Sequence, residues 1–106
     1  MAREMSTDSI LRALVEPHRR EILRLVRDEA RSVNEITEHF SISQQAVSQH
    51  LKVLKDAGLV AVRQDGPRRL YEVRPDGLGS LEGFLAELWP ASLQRLKDDI
   101  ETDRDG

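Results

Sequence analysis

The chain has 106 residues and a formal net charge of −3, with 33% charged and 39% hydrophobic residues. This length favours one domain, and a domain this small buries so little apolar surface that dimerisation would help to stabilise it. The absence of cysteine excludes disulfides, thiolate nucleophiles and cysteine-based zinc sites. No secretory signal is evident at the start, and no apolar run approaches the roughly 20 residues of a membrane span. We therefore expect a cytoplasmic protein with no membrane partner.

Charge is distributed unevenly along the chain. Residues 44–74 contain six Lys/Arg and three Asp/Glu, whereas residues 75–106 contain three and eight. A basic centre is typical of a nucleic-acid-binding surface, although chance clustering would give the same pattern. Charge alone therefore leaves the partner open.

Three helices are predicted before residue 41. An apolar stripe at helical spacing includes Ile10 and Leu14, and Pro17 separates it from a second helix, whose first turn tolerates proline. Ser32 and Glu35 fit a capping box at the start of a third, short helix.

A fourth helix and a hairpin are predicted next. Ser43 is placed to cap a helix over residues 44–57, and Gly58 stands where a helix end needs a left-handed residue. Residues 59–63 and 68–74 are predicted strands, joined through an Asp-Gly hairpin signal.

A long final helix is predicted to begin near Pro75 and to kink at Pro90. The order predicts a mainly α fold with a small β-hairpin, a winged helix-turn-helix with five helices and a C-terminal dimerisation helix. We expect residues 1–106 to form one DNA-binding domain, with core and wing in 8–74 and the dimerisation helix in 75–101.

The fourth helix has two unlike faces. Val47, Leu51 and Leu54 lie at core spacing, while the opposite face carries amides and hydroxyls, with no carboxylate before Asp56. Phosphates repel carboxylates, and glutamine can pair with the edge of adenine, so this face suits the major groove. A solvated polar face is the alternative. The predicted base-reading residues are Gln44, Gln45, Ser48 and Gln49.

The hairpin is rich in arginine around its tip. Arginines there can contact phosphates or enter a narrow minor groove, although charge also keeps an edge hairpin soluble. The residues predicted to hold the DNA backbone are Ser43, Lys52, Arg63, Arg68 and Arg69.

The final helix is apolar on more sides than one small core can cover. Packing within one chain is the alternative, but we favour a dimer interface with the first helix nearby. The predicted interface residues are Ile10, Leu14, Leu81, Leu85, Leu88, Trp89 and Leu96.

Three stretches of the chain resemble the ArsR family of winged helix-turn-helix repressors. The family's recognition helix resembles residues 43–60, SQQAVSQHLKVLKDAGLV. Its wing resembles residues 63–71, and its second helix resembles residues 17–23, PHRREIL. The resemblance extends over about residues 8–100. It implies homodimers that bind operator DNA and repress transcription, with a dimer contact made by the first and last helices.

The chain departs from the family's metal-sensing members. Those members carry a Cys-x-Cys pair where this chain has Ser32 and Asn34, and others bind zinc through a last-helix histidine that is missing here. The resemblance therefore points to the metal-independent, SdpR-like branch, with no cofactor and no metal expected.

Two acid–histidine pairs have the spacing of metal ligands. His18 with Glu21, and Glu35 with His39, could each face one way on a helix, but surface hydrogen bonds explain such pairs more simply. No nucleophile elbow, phosphate loop or HExxH motif occurs, so we expect no enzyme.

Together the residues predict a sequence-specific transcriptional regulator, a homodimeric repressor that binds an inverted-repeat operator. Two alternatives stay open. One is a repressor that also senses a small molecule or metal. The other is a winged helix that binds protein, which the net negative charge favours.

Overall fold

The computed structural model describes the backbone of residues 2–105 and the side chains of residues 7–92 and 94–100. Its order of helices around one hairpin confirms the predicted winged helix-turn-helix. The elements are α1 (Ala2–Val15), α2 (Pro17–Arg27), α3 (Val33–Thr37), α4 (Gln44–Asp56), β1 (Val60–Asp65), β2 (Arg68–Val73), α5 (Gly79–Leu88) and α6 (Pro90–Asp105). In the described part, no helix combines the length and apolarity needed to cross a membrane.

Side-chain caps determine where three of the helices begin. The predicted capping box is present, because Ser32 Oγ accepts the Glu35 N–H at 3.2 Å and Glu35 Oε1 accepts the Ser32 N–H at 2.8 Å. Ser43 caps α4 as expected. At α2 the cap is Glu16, whose carboxylate accepts the Arg19 N–H at 3.1 Å. Each cap satisfies an orphan backbone donor.

The wing is a tight antiparallel hairpin attached to the body of the domain. Gly58 ends α4 with φ of 78° and Gly66 turns the hairpin with φ of 62°, the left-handed region that favours glycine. The turn is tighter than predicted, since the strands pair out to Asp65 opposite Arg68. The outer edge of β2 bonds to Arg31 through two hydrogen bonds with Tyr71, of 2.8 and 3.0 Å.

The core lies between α1, α2, α3, α4 and the start of β1. It confirms the predicted inner face of α4, whose three apolar residues are at most 1% exposed. Ile10, predicted as an interface residue, is 1% exposed in the single chain and belongs to this core instead. The buried cluster consists of Ile10, Ala13, Ile22, Val26, Ile36, Val47, Leu51, Leu54, Leu59 and Val60.

The C-terminal segment is two helices where one kinked helix was predicted, so the described chain has six helices and not five. Trp89 leaves the helical region with φ of −137° and ψ of 65°, because the proline that follows disfavours a helical conformation before it. Pro90 then starts α6, which turns back along α5 so that Lys97 Nζ contacts the carboxylate of Glu82.

Candidate nucleic-acid interface

The outward face of α4 is exposed along its first two turns. The described side chains of Gln44, Gln45, Ser48 and Gln49 are all exposed, as is the capping Ser43. The first turn of α4 contains no acidic residue, so its positive dipole end remains available to a phosphate. The structure therefore presents the predicted base-reading residues together at one end of one helix.

Lys52 lies two turns further along α4, and its ammonium is already paired. Its Nζ donates to Asp56 Oδ2 at 2.9 Å, and both side chains are more than 60% exposed. Exposed ion pairs of this kind contribute little, so a phosphate could replace the carboxylate.

The predicted wing arginines do not all project the same way. Register pairs Asp65 with Arg68 and Gln64 with Arg69, so alternation places Arg63 and Arg68 on one face and Arg69 on the other. Arg63 Nε also donates to the carboxylate of Glu72 at 2.7 Å.

Arg68 binds the carboxylate that caps α3. Its guanidinium donates to Glu35 Oε1, the oxygen that also accepts the Ser32 N–H. The Ser32 hydrogen bonds and the positive charge of Arg68 hold the pKa of the Glu35 carboxyl below its usual range. This tie between wing and α3 joins residues 33 apart, and sequence spacing gave no signal for it.

A cleft of 390 Å³ separates the wing tip from the starts of α3 and α4. It brings Gln44, Arg68 and Arg69 together from the predicted set. It also adds the exposed amide of Asn34, for which no DNA contact was predicted. The remaining lining residues are Ser32, Val33 and Pro67.

A second open surface lies on α1, α5 and α6. A 730 Å³ groove between α1 and α5 is lined in part by Leu11, Gly83 and Phe84. Of the predicted interface residues, Leu88, Trp89 and Leu96 are more than 50% exposed, whereas Leu14, Leu81 and Leu85 are half-buried. The single chain thus leaves a broad apolar face uncovered.

The acid–histidine pairs considered from sequence are not the ones that the fold assembles. Glu21 pairs with Arg24, and the Nδ1 of His39 lies 3.1 Å from the backbone oxygen of Glu35 and not from its carboxylate. No signal in the spacing pointed to the group that does form, which joins the start of α2 to α4.

That group contains Glu16, His18 and His50. Glu16 Oε1 lies 3.0 Å from His18 Nδ1, and the two imidazoles stack with centroids 5.5 Å apart and planes at 17°. The hydrogen bond with His18 lowers the pKa of Glu16 to about 2, and burial lowers the pKa of His50.

Arg19 connects this group to α1. Its Nε and Nη2 donate to the backbone oxygens of Ala13 and Arg12 at 2.8 and 3.1 Å, and its Nη1 lies 3.3 Å from His50 Nδ1. Because a guanidinium has no acceptor, His50 Nδ1 accepts this hydrogen bond.

Comparison with known proteins gives one consistent picture. The profile described as bacterial regulatory protein, arsR family, matches residues 16–62. The HTH-type transcriptional regulator Rv2034 of Mycobacterium tuberculosis is 36% identical over 105 residues, which cover 99% of this chain and 98% of that protein. An arsenical resistance operon repressor of Staphylococcus xylosus is 37% identical over 72% of this chain and 71% of its own length.

A solved structure shows the same architecture. It is a homodimeric winged helix-turn-helix DNA-binding domain from Mycobacterium bovis, described as a possible ArsR-family transcriptional regulator. It aligns with a TM-score of 0.67 and 25% identity over 82% of this chain and 81% of that one.

Proposed function

Because the chain belongs to the ArsR family of DNA-binding transcriptional regulators, we propose that it acts as a homodimeric repressor of an inverted-repeat operator. One observation carries the proposal: the exposed face of α4 bears amides and hydroxyls but no carboxylate over its first three turns, beside an arginine-bearing wing. Such a face can enter a field of phosphates without repulsion.

The proposed division of labour follows the position of each side chain. The exposed amides and hydroxyl of Gln44, Gln45, Ser48 and Gln49 read base edges from the start of the recognition helix. The other predicted residues hold the backbone, and each paired cation exchanges a carboxylate for a phosphate. These backbone-holding residues are Ser43, Lys52, Arg63, Arg68 and Arg69.

The proposed homodimer covers the apolar face of α5 and α6. A self-complementary contact is the common way for a small protein to bury such a face, and the relative from M. bovis is homodimeric. In this proposal residues 8–74 recognise DNA, and residues 75–101 join the chains. Two-fold symmetry then presents two α4 helices to major grooves about one turn apart, which requires an inverted repeat.

The SdpR-like branch remains a prediction. It rests on Ser32 and Asn34, which lack the thiolates of the cysteine-type sensors, and on a last helix without histidine. The proposed repressor acts on the chromosome and therefore in the cytoplasm. It needs no cofactor to bind DNA, and its function requires no enzymatic step.

The proposal is tested by an unbiased selection of genomic DNA fragments on the purified protein at about 150 mM salt, where non-specific binding is weak. We expect enrichment of one short inverted repeat. Diffuse or absent enrichment would contradict specific repression by the free protein and favour the protein-binding alternative.

Variants then test how the bases are read. Gln45→Ala or Gln49→Ala should reduce discrimination between the selected repeat and a mutated one by about 1–3 kcal/mol. Gln94→Ala is the matched control, since Gln94 is an exposed glutamine on α6 whose amide donates to Asp98. Discrimination equal to that of the native protein in both α4 variants would refute their assignment.

A further inference from the structure

The three side chains that join α2 to the recognition helix have the composition of a metal site. We propose that Glu16, His18 and His50 bind a divalent transition-metal ion of the Zn²⁺ type, with water completing the coordination. Each residue offers one ligand atom, and these atoms lie within 4.8 Å of one another. The histidine pairs considered from sequence offered two ligands each, whereas this group offers three.

The donor set suits such an ion. Two imidazoles and one carboxylate are typical of three-ligand zinc sites whose fourth position is open to water, and the absence of sulfur disfavours thiophilic metals. The side chains of His18 and Glu16 are 42% and 30% exposed, so both an ion and a water molecule can reach them.

The geometry requires a small adjustment. Zinc bonds of about 2.0–2.1 Å place tetrahedral ligand atoms roughly 3.4 Å apart. Glu16 Oε1 and His18 Nδ1 are already 3.0 Å apart, so the movement falls mainly on the His50 ring. The ligand atom of His50 lies within 4.8 Å of the other two, so it must approach them by at most about 1.4 Å.

Metal binding must displace hydrogen bonds that the group now makes. Metal ligands must be deprotonated, so an ion has to replace the proton shared by Glu16 Oε1 and His18 Nδ1, which lie 3.0 Å apart. Arg19 opposes binding, because its guanidinium occupies Nδ1 of His50 and carries a positive charge. We therefore expect micromolar affinity and not the tighter binding of a closed structural site.

The proposed site lies between α2 and the recognition helix α4, so a bound ion would connect them. His50 belongs to α4, while Glu16 and His18 belong to the cap and first turn of α2. A bound ion would link the two helices directly and release Arg19 from the recognition helix. An ion at this site would therefore change the orientation of α4 without contacting the wing or the base-reading residues.

The test is calorimetric titration of the purified protein with Zn²⁺ at neutral pH. We expect one ion per chain, and at least a tenfold loss of affinity in His18→Gln and in His50→Gln. His39→Gln is the matched control, because His39 is the remaining histidine and is exposed, with its Nδ1 3.1 Å from the backbone oxygen of Glu35. It should bind Zn²⁺ as the native protein does.

Glu16→Gln provides a second variant that keeps an acceptor for the cap of α2 while it removes the charged ligand. It should also weaken binding at least tenfold, with the circular dichroism spectrum unchanged. Equal affinity in all four variants, or no binding by the native protein at millimolar Zn²⁺, would overturn the proposal and leave the group as a packing contact. The titration contains no DNA, so its outcome is independent of operator binding.

Discussion

Leu88→Ala should weaken the proposed homodimer about thirtyfold. Leu88 is 51% exposed in the single chain, so a partner has about half of the side chain left to cover. Full burial of leucine contributes about 1.5–3 kcal/mol, so the remaining half contributes about 1 kcal/mol per chain. Two-fold symmetry doubles this to about 2 kcal/mol per dimer, which corresponds to a thirtyfold change in the dimer Kd.

Sedimentation equilibrium of the native protein and the variant measures that Kd. Val73→Ala is the control, because Val73 is 36% exposed but lies on the wing. The native chain carries its own reporter: Trp89 is its one tryptophan and is 56% exposed. Its emission should shift to shorter wavelength as the protein is concentrated. An unchanged Kd in Leu88→Ala, or an equal loss in Val73→Ala, would refute the proposed interface.

Three further changes test the wing, the chain path and the capping box. Arg68→Ala should weaken binding to all DNA sequences alike and reduce the salt slope by about 0.9, and a loss confined to one sequence would contradict a phosphate contact. Gly77→Ala should lower the free energy of unfolding in urea by about 1–3 kcal/mol, because its new Cβ would lie 2.8 Å from the backbone oxygen of Gly58. Gly79→Ala, which meets open space, should not. Glu35→Gln should reduce the loss of folding stability at acid pH. The folded-state pKa of Glu35 lies below its unfolded value of 4.5, so its ionised carboxyl stabilises the fold above that value. This contribution is lost as the pH falls through the folded pKa. An unchanged loss of stability at acid pH would refute that role.

Local chemistry made much of the fold predictable. Ser32 and Ser43 cap the helices that follow them, and Gly58 permits the backbone conformation that ends α4, so the sequence predicted the start of α3 and both ends of α4. The end of α3 at Thr37 was not predicted. Pro90 was predicted to kink one helix, and in the structure it begins a second helix. The extent of the break was not predictable, because the return of α6 along α5 depends on contacts such as Lys97 with Glu82.

The features that were not predicted depend on contacts between residues that are distant in sequence. An apolar stripe shows that Ile10 must be buried but not whether its own chain or a partner covers it. The ion pairs of Arg63 and Arg68 depend on strand register and on the position of α3, which no local signal specifies. His50 was considered only on its own helix, because its neighbours Glu16 and His18 come close to it only after the whole domain has folded.

In the proposed homodimer, the hydrogen bonds of Arg19 would link the position of the subunit interface to the distance between the two recognition helices. One side chain bonds the last turn of α1, beside the proposed interface, and also touches α4. A rotation of one protomer against the other would therefore move α1 and α4 together. The preferred number of base pairs between the operator half-sites would then depend on the angle between the two protomers. A substitution at the interface that changes this angle would change the preferred spacing.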